Sequence, residues 1–150
     1  MEMKISLITV TYNSAMTLRD TIESVLSQSY PNIEYIIVDG QSQDSTLSLI
    51  KEYEPLFKGK LRWISECDKG LYDAMNKGFR MAAGDVIGII NSDDLLAEPT
   101  VIAKVMNVFR EHPDADAVYA DLYYVAQNDT SRIIRHWISG TQYSFKYGWH

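Results

Sequence analysis

One cysteine, Cys67, is all the chain has, so it cannot carry an internal disulfide, and a lone thiol fits a reducing compartment. No apolar run approaches the roughly 20 residues that a membrane-spanning helix needs. The opening residues, MEMKISLITV, lack the long apolar core and cleavage site of a signal peptide and read as a first strand. Basic residues are in deficit. Fourteen Lys and Arg against twenty Asp and Glu give a formal charge of −6, without the basic patch of a general nucleic-acid binder. Two phosphate-binding signatures are also missing: no GxGxxG follows the first strand and no GxxxxGK[ST] occurs, which excludes the dinucleotide fingerprint and the P-loop. The expectation is a cytoplasmic globular protein that would hold a phosphate-bearing ligand through a metal ion, since a bound cation reverses the local field at an acidic site.

What is present is ordinary globular material. A length of 150 residues, 46% hydrophobic and 23% charged, suits one domain with a substantial core. Lys4 to Thr11 is a β-rich run broken by Tyr12-Asn13-Ser14. Thr17 then caps a helix, with Asp20 at the third position, and Leu18, Ile22, Val25 and Leu26 form its apolar face. Ile33 to Val38 is a second strand ending at Asp39-Gly40. Asp44 or Ser45 caps a second helix with Leu47, Ile50 and Tyr53 inward and Pro55 as its stop. Leu61 to Ser65 is a third strand, and a third helix covers about Tyr72 to Ala83 with Gly84 as its C-terminal cap. Val86, Ile87, Ile89 and Ile90 read as a strand buried on both faces in the middle of a parallel sheet. A fourth helix starts near Pro99 and buries Val101, Ile102, Val105, Met106 and Phe109.

Strict β-α alternation predicts an α/β fold, a mostly parallel, Rossmann-like sheet with helices on both faces. After His112-Pro113, a helix terminator, the pattern changes. Ala117 to Ala126 and Arg132 to Ile138 flank Gln127–Ser131, a C-terminal β-hairpin of the longer-loop type. No amphipathic helix follows Ile138. The expectation is therefore a single domain, with βα repeats over about 1–112 and the start of a second half over 113–150, truncated from something longer. The aromatic tail (Tyr143, Phe145, Tyr147, Trp149) is expected to be poorly ordered or engaged with another chain.

Ligands bind outside the carboxyl ends of strands in open α/β sheets. Four strand-end loops fall on that edge: Thr11-Tyr12-Asn13, Asp39, Asp68-Lys69-Gly70, and Ser92-Asp93-Asp94. Aspartate after one strand is common and favours turns for local reasons. Four such loops on one edge are less readily explained by turn chemistry, and a carboxylate cluster there suits a hard divalent cation completed by phosphate oxygens.

The runs TVTYN, VDGQSQDST, SECDKGLYDAMNKGF and IINSDD, in this order over about residues 4 to 125, resemble the family 2 glycosyltransferases of GT-A fold, bacterial enzymes that build polysaccharides and similar glycans. The resemblance implies transfer of a sugar from a nucleotide-sugar, UDP-sugar favoured, to a glycan or lipid-linked acceptor by an inverting displacement with Mn²⁺ or Mg²⁺. It implies that Thr11, Asn13 and Asp39 hold the base and ribose, and that Asp68 and Lys69 flank the nucleotide. Asn91-Ser92-Asp93 then stands at the family's DxD position, with Ser92 on the nucleotide and Asp93 and its neighbour Asp94 on the metal. Asn91 in the first position departs from the pattern, losing a charge but keeping an oxygen. No segment matches the family's catalytic base. Asp121 is a weak candidate, and residues 1–150 alone are expected to bind nucleotide without transferring sugar. Homodimerisation and attachment to the inner face of the cell membrane belong to the same reading.

Blander roles compete at several positions. Asp39 could be a turn residue, and Asp44 a helix cap. Asp73 would suit the dipole of the third helix, with a ligand role for Tyr72 and Asp73 equally open. Gly78, inside that helix, would let it pack closely on the sheet. His136 and His150 have no evident partner, and Cys67 is a bystander. Two other functions remain: a nucleotidyltransferase, against which the lack of a glycine-rich basic loop after the first strand argues, and a non-catalytic nucleotide-binding domain.

Overall fold

The computed structural model describes residues 2–140. The chain divides into two compact units, Met1–Arg110 and Glu111–His150. The first holds strands β1 (Ile5–Thr11), β2 (Ile33–Asp39), β3 (Leu61–Ser65) and β4 (Val86–Ile89), all parallel, in the order β3-β2-β1-β4. Between them run α1 (Leu18–Leu26), α2 (Thr46–Tyr53), a 3₁₀ turn (Glu54–Phe57) and α3 (Leu71–Met81), and α4 (Val101–Glu111) follows β4.

The period of two along β1 and β2 divides the core. Ile5, Leu7, Tyr35 and Ile37 face one side with Leu18, Ile22 and Val25 of α1, Ile50 of α2, and Ile102 and Met106 of α4. Ile8, Val10, Ile36 and Val38 face the other, with Ala74 of α3. Burial on both faces is why these strands read as continuous apolar runs, and each fully buried Ile or Leu contributes about 1.5–3 kcal/mol. Helices therefore cover both faces, as α/β alternation requires. Gly78 does what its place in the helix suggested. A Cβ there would fall 2.5 Å from Ile8 Cγ2, so only glycine lets α3 lie this close to β1.

At the amino end of the sheet a buried carboxylate ties three elements together. Glu34 accepts hydrogen bonds from Ser6 Oγ at 2.6 Å and from the Ala83 N–H at 3.0 Å, and pairs with Arg62 at 3.1 Å and Lys4 at 3.4 Å. Burial alone would raise its pKa. The hydrogen bonds from Ser6, Ala83 and Arg62, with the charge on Lys4, outweigh that and hold it below the usual glutamate value.

Several expectations are corrected. The IINSDD strand is not central. β1 is, flanked by β2 and β4, and β4 forms an edge of the described sheet with Ile87 and Ile89 each nearly half exposed. Its run reads as doubly buried, but a strand with a neighbour on one side only leaves part of its surface uncovered. Thr17 occupies the N-cap position of α1, yet its hydroxyl donates to the Ser92 carbonyl at 2.8 Å instead of capping. Helix α3 ends at Met81 with Ala82 as its cap. Gly84 serves a close approach instead: a Cβ there would meet Ser6 N at 2.7 Å. Leu26 of α1 is exposed, and on α2 Leu49 is buried where Leu47, expected inward, is only partly so.

The second unit contains the hairpin, β5 (Leu122–Ala126) antiparallel to β6 (Asp129–Trp137). The expected longer loop is a two-residue connection, because Ala126 pairs with Asp129. The extra residues are absorbed by register shifts around Val125, as bulges allow. The aromatic tail from Tyr143 to Trp149, and His150, lie outside the described residues. No helix among the described residues is long and apolar enough to cross a membrane.

Candidate functional site at the carboxyl edge of the sheet

Parallel strands deliver their carboxyl ends to one edge, and in this unit those ends are stitched by side chains. The loop after β1 is the hub, as the position of β1 between β2 and β4 dictates. Toward β2, the Asn13 N–H donates to Ser42 Oγ at 2.8 Å and Asn13 Oδ1 accepts from the Gln43 N–H at 2.8 Å. The Ser14 N–H donates to Thr46 Oγ1 at 2.9 Å and the Ala15 N–H to Asp44 Oδ2 at 3.2 Å. Toward β4, the Ser14 and Ser92 hydroxyls share a hydrogen bond of 3.1 Å. The hydroxyl and N–H of Thr46 hold the Asp44 carboxyl below its usual range. That N–H, the first of α2, reaches Asp44 Oδ1 at 2.9 Å; the N-cap position itself is Ser45, so Asp44 satisfies the helix start from one residue further out.

Asp39 is fully buried. Its Oδ1 accepts from Ser42 Oγ at 2.5 Å, and its Oδ2 from the Ser42 N–H at 3.0 Å and Ser65 Oγ at 2.6 Å. A carboxylate offers about four lone-pair sites, and here donors from β2's own loop and from the end of β3 take three of them. Thr11 is buried beside it in register, and its hydroxyl has no hydrogen-bond partner among the described residues.

Asp68 comes to the same rim. A Cβ on Gly40 would lie 2.7 Å from Asp68 Oδ2 and 3.5 Å from Tyr12 Cδ2, which places the loops after β1, β2 and β3 side by side. The Asp68 Oδ1 accepts the Gly70 N–H at 2.9 Å, while Lys69 is exposed and gives its N–H to Asp73 at 3.0 Å. Asp73 and Glu66 pair with Lys77 at 3.8 and 3.1 Å, so Asp73 braces the start of α3.

In the turn after β4, Asn91 Nδ2 donates to Asp94 Oδ2 at 2.8 Å. Asp93 is exposed and makes no hydrogen bond or ion pair among the described residues. No three His, Cys, Asp or Glu side chains among the described residues gather into a metal cage. Magnesium-type sites seldom use one: they take one or two carboxylates and complete the shell with water and substrate phosphate. One open and one braced carboxylate fit that donor set.

The edge thus brings together Thr11, Asn13, Asp39, Asp68, Lys69, Ser92, Asp93 and Asp94. A model of glycosyl transferase family 2 matches residues 6–149. The chain belongs to glycosyl transferase family 2. Among this family 2 chain's relatives, a PGL/p-HBAD biosynthesis glycosyltransferase of Mycobacterium tuberculosis is 33% identical over 123 residues, 82% of this chain and 48% of the relative. An uncharacterised glycosyltransferase of the same species is 38% identical over 103 residues, covering 68% of this chain and 38% of that one. The chain spans about half or less of the length of these curated relatives. Staphylococcus aureus TarS 1–349 in complex with UDP-GlcNAc aligns with a TM-score of 0.66 at 26% identity, covering 74% of this chain and 32% of that 1–349 chain. The mannosyltransferase PcManGT from Pyrobaculum calidifontis, in complex with GDP-Man and Mn²⁺, shares the fold with a TM-score of 0.69 at 22% identity, over 87% of this chain and 38% of that one.

Two features of the family 2 chain were not anticipated from sequence. Ser42 and Ser65 hold Asp39; a serine three residues after an aspartate is a recognisable turn signal, whereas Ser65 carries none. His136, read as unpartnered, lies 3.4 Å from Asp121 Oδ2 with its ring 4.5 Å from that of Tyr123. Asp121 sits just before β5 rather than on it, belongs to the second unit, and also accepts the Ser139 N–H at 2.9 Å.

Proposed function

We propose that this chain is the nucleotide-sugar-binding part of a metal-dependent inverting glycosyltransferase, with a UDP-sugar as donor and a glycan or lipid-linked acceptor at the inner face of the cell membrane. The observation that carries the reading is the convergence of four strand-end loops, with Asp39, Asp68 and Asp93, on one edge of the parallel sheet. Neighbours of the fold crystallised with UDP-GlcNAc and with GDP-Man and Mn²⁺ support a diphosphate donor.

In this reading the Thr11–Asn13 loop, Asp39 and Asp68 form the wall for base and ribose, with Lys69 and Ser92 toward the diphosphate. Asp93 and the Asn91-braced Asp94 would hold a divalent cation. When bound, that cation neutralises charge on the departing nucleoside diphosphate. In the reaction an acceptor hydroxyl oxygen bonds to the anomeric carbon, while the bond from that carbon to the diphosphate oxygen breaks and its electron pair leaves with the nucleotide. A carboxylate takes the hydroxyl proton.

Thermal unfolding with a panel of nucleotide-sugars, with and without Mn²⁺, tests the donor half. A UDP-sugar at a hundred times its Kd should add about 2.7 kcal/mol of stability, and more protection is expected with the metal than without. No shift with any nucleotide-sugar would overturn the reading. Turnover by the longer protein separates an enzyme from a binding domain.

A further inference from the structure

Asn13 and Gln41 both adopt left-handed backbone, with φ of 48° and 61°. Non-glycine residues hold such conformations when their surroundings over-determine them. Between them stands Ser42, whose hydroxyl accepts the Asn13 N–H at 2.8 Å and donates to Asp39 Oδ1 at 2.5 Å. Its own N–H donates to Asp39 Oδ2 at 3.0 Å, the oxygen that also accepts from Ser65. One hydroxyl thus links the loop after β1 to a buried carboxylate at the end of β2, and that carboxylate is anchored in turn to the end of β3.

We propose that Ser42 is a positioning residue of the nucleotide site, its hydroxyl relaying between the Asn13 N–H and the Asp39 carboxylate so that the base and ribose wall is set before the ligand arrives. The inference rests on the nucleotide-binding reading above and adds to it a residue that does not itself need to touch the ligand. Hydrogen bonds to an ionised acceptor are stronger than neutral ones, and a wall fixed in advance spares the ligand the cost of ordering it. Because the relay lies on the β2 side of the β1 loop, its loss should affect the nucleoside half of the site. The Ser92–Asp94 turn, on the β4 side, should keep its grip on diphosphate.

The test is calorimetric titration of the 150-residue chain with UDP and, separately, with Mn²⁺-pyrophosphate, for wild type, Ser42→Ala, Ser42→Thr and Ser65→Ala. Ser42→Ala should weaken UDP by about tenfold, the scale of one charge-assisted hydrogen bond, and leave pyrophosphate affinity unchanged. Ser42→Thr, which keeps the hydroxyl, should restore most of the UDP affinity, and Ser65→Ala should give a smaller loss on UDP alone. Unchanged UDP affinity in Ser42→Ala would overturn the inference while leaving the nucleotide reading intact. Parallel loss of UDP and pyrophosphate, or no rescue by threonine, would also overturn it, since general damage to the fold would then suffice. Wild type that takes up pyrophosphate but not UDP would overturn both.

Discussion

The Asn91 side-chain amide donates to Asp94 Oδ2 at 2.8 Å, so of the two exposed carboxylates of the turn it is Asp93 that has no partner among the described residues. The asparagine in place of a first aspartate therefore contributes a brace where the usual pattern would contribute a charge. Asp93→Ala should abolish the Mn²⁺-dependent tightening of UDP binding and leave the unfolding temperature nearly unchanged, because the side chain supports nothing else. Asp94→Ala should weaken the metal effect less. Calorimetry of UDP with and without Mn²⁺ checks both, and equal metal dependence in Asp93→Ala and wild type would remove Asp93 from the site.

Gly40 leaves room for the Asp68 carboxylate, with 2.7 Å between Oδ2 and the place a Cβ would occupy. In Gly40→Ala the movable partner is the end of a side chain, so stability should change by no more than about 0.5 kcal/mol. The displaced Asp68 should cost about 1 kcal/mol in UDP affinity, the net worth of a typical hydrogen bond. A variant that binds UDP as wild type does would place Asp68 outside the nucleotide wall.

Glu34 makes stability depend on acid. Its pKa in the folded chain lies below the ordinary value of 4.5, so the unfolded chain takes up the proton first as pH falls. The stabilisation is complete above the unfolded value and is lost as pH drops through the folded one. Urea unfolding of wild type and Glu34→Gln should differ most near neutrality and converge in acid. A gap that stays constant down to the acid limb would show that the carboxylate charge is not what Ser6, Ala83 and Arg62 stabilise.

Gly78→Ala should destabilise by about 1–3 kcal/mol through overpacking against Ile8. The clash is with Cγ2 of a fully buried, χ1-restricted side chain that has little room to move. In a double-mutant cycle with Ile8→Ala, the pair should cost less than the sum of the two, since removing Cγ2 opens space for the new methyl. Strict additivity would place the strain elsewhere.

Much of the architecture could be read locally. Periods of two and of about 3.6 set apart strands and helices, strict alternation of the two implied parallel pairing, and a carboxylate after each of several strands marked the edge where they would meet. Asp39, Asp68 and Asp93 were legible because strand and loop are neighbours in the chain. The same reasoning misplaced β4. Its residues look as apolar as those of β1, and nothing within Val86 to Ile90 says how many strands will flank it.

Sheet order is a contest among strands far apart in sequence, so tertiary structure alone put β1 in the centre and made its loop the hub of the site. It alone paired Ser65 with Asp39, 26 residues away, and joined His136 to Asp121. The type of each element, and the identity of the acidic groups, were determined by the sequence because they depend on a few adjacent residues. Which carboxylate is buried and braced, as Asp39 is, and which stands open, as Asp93 does, was decided only when distant hydroxyls and amides reached them. A carboxylate's chemistry depends on those partners as much as on its own atoms.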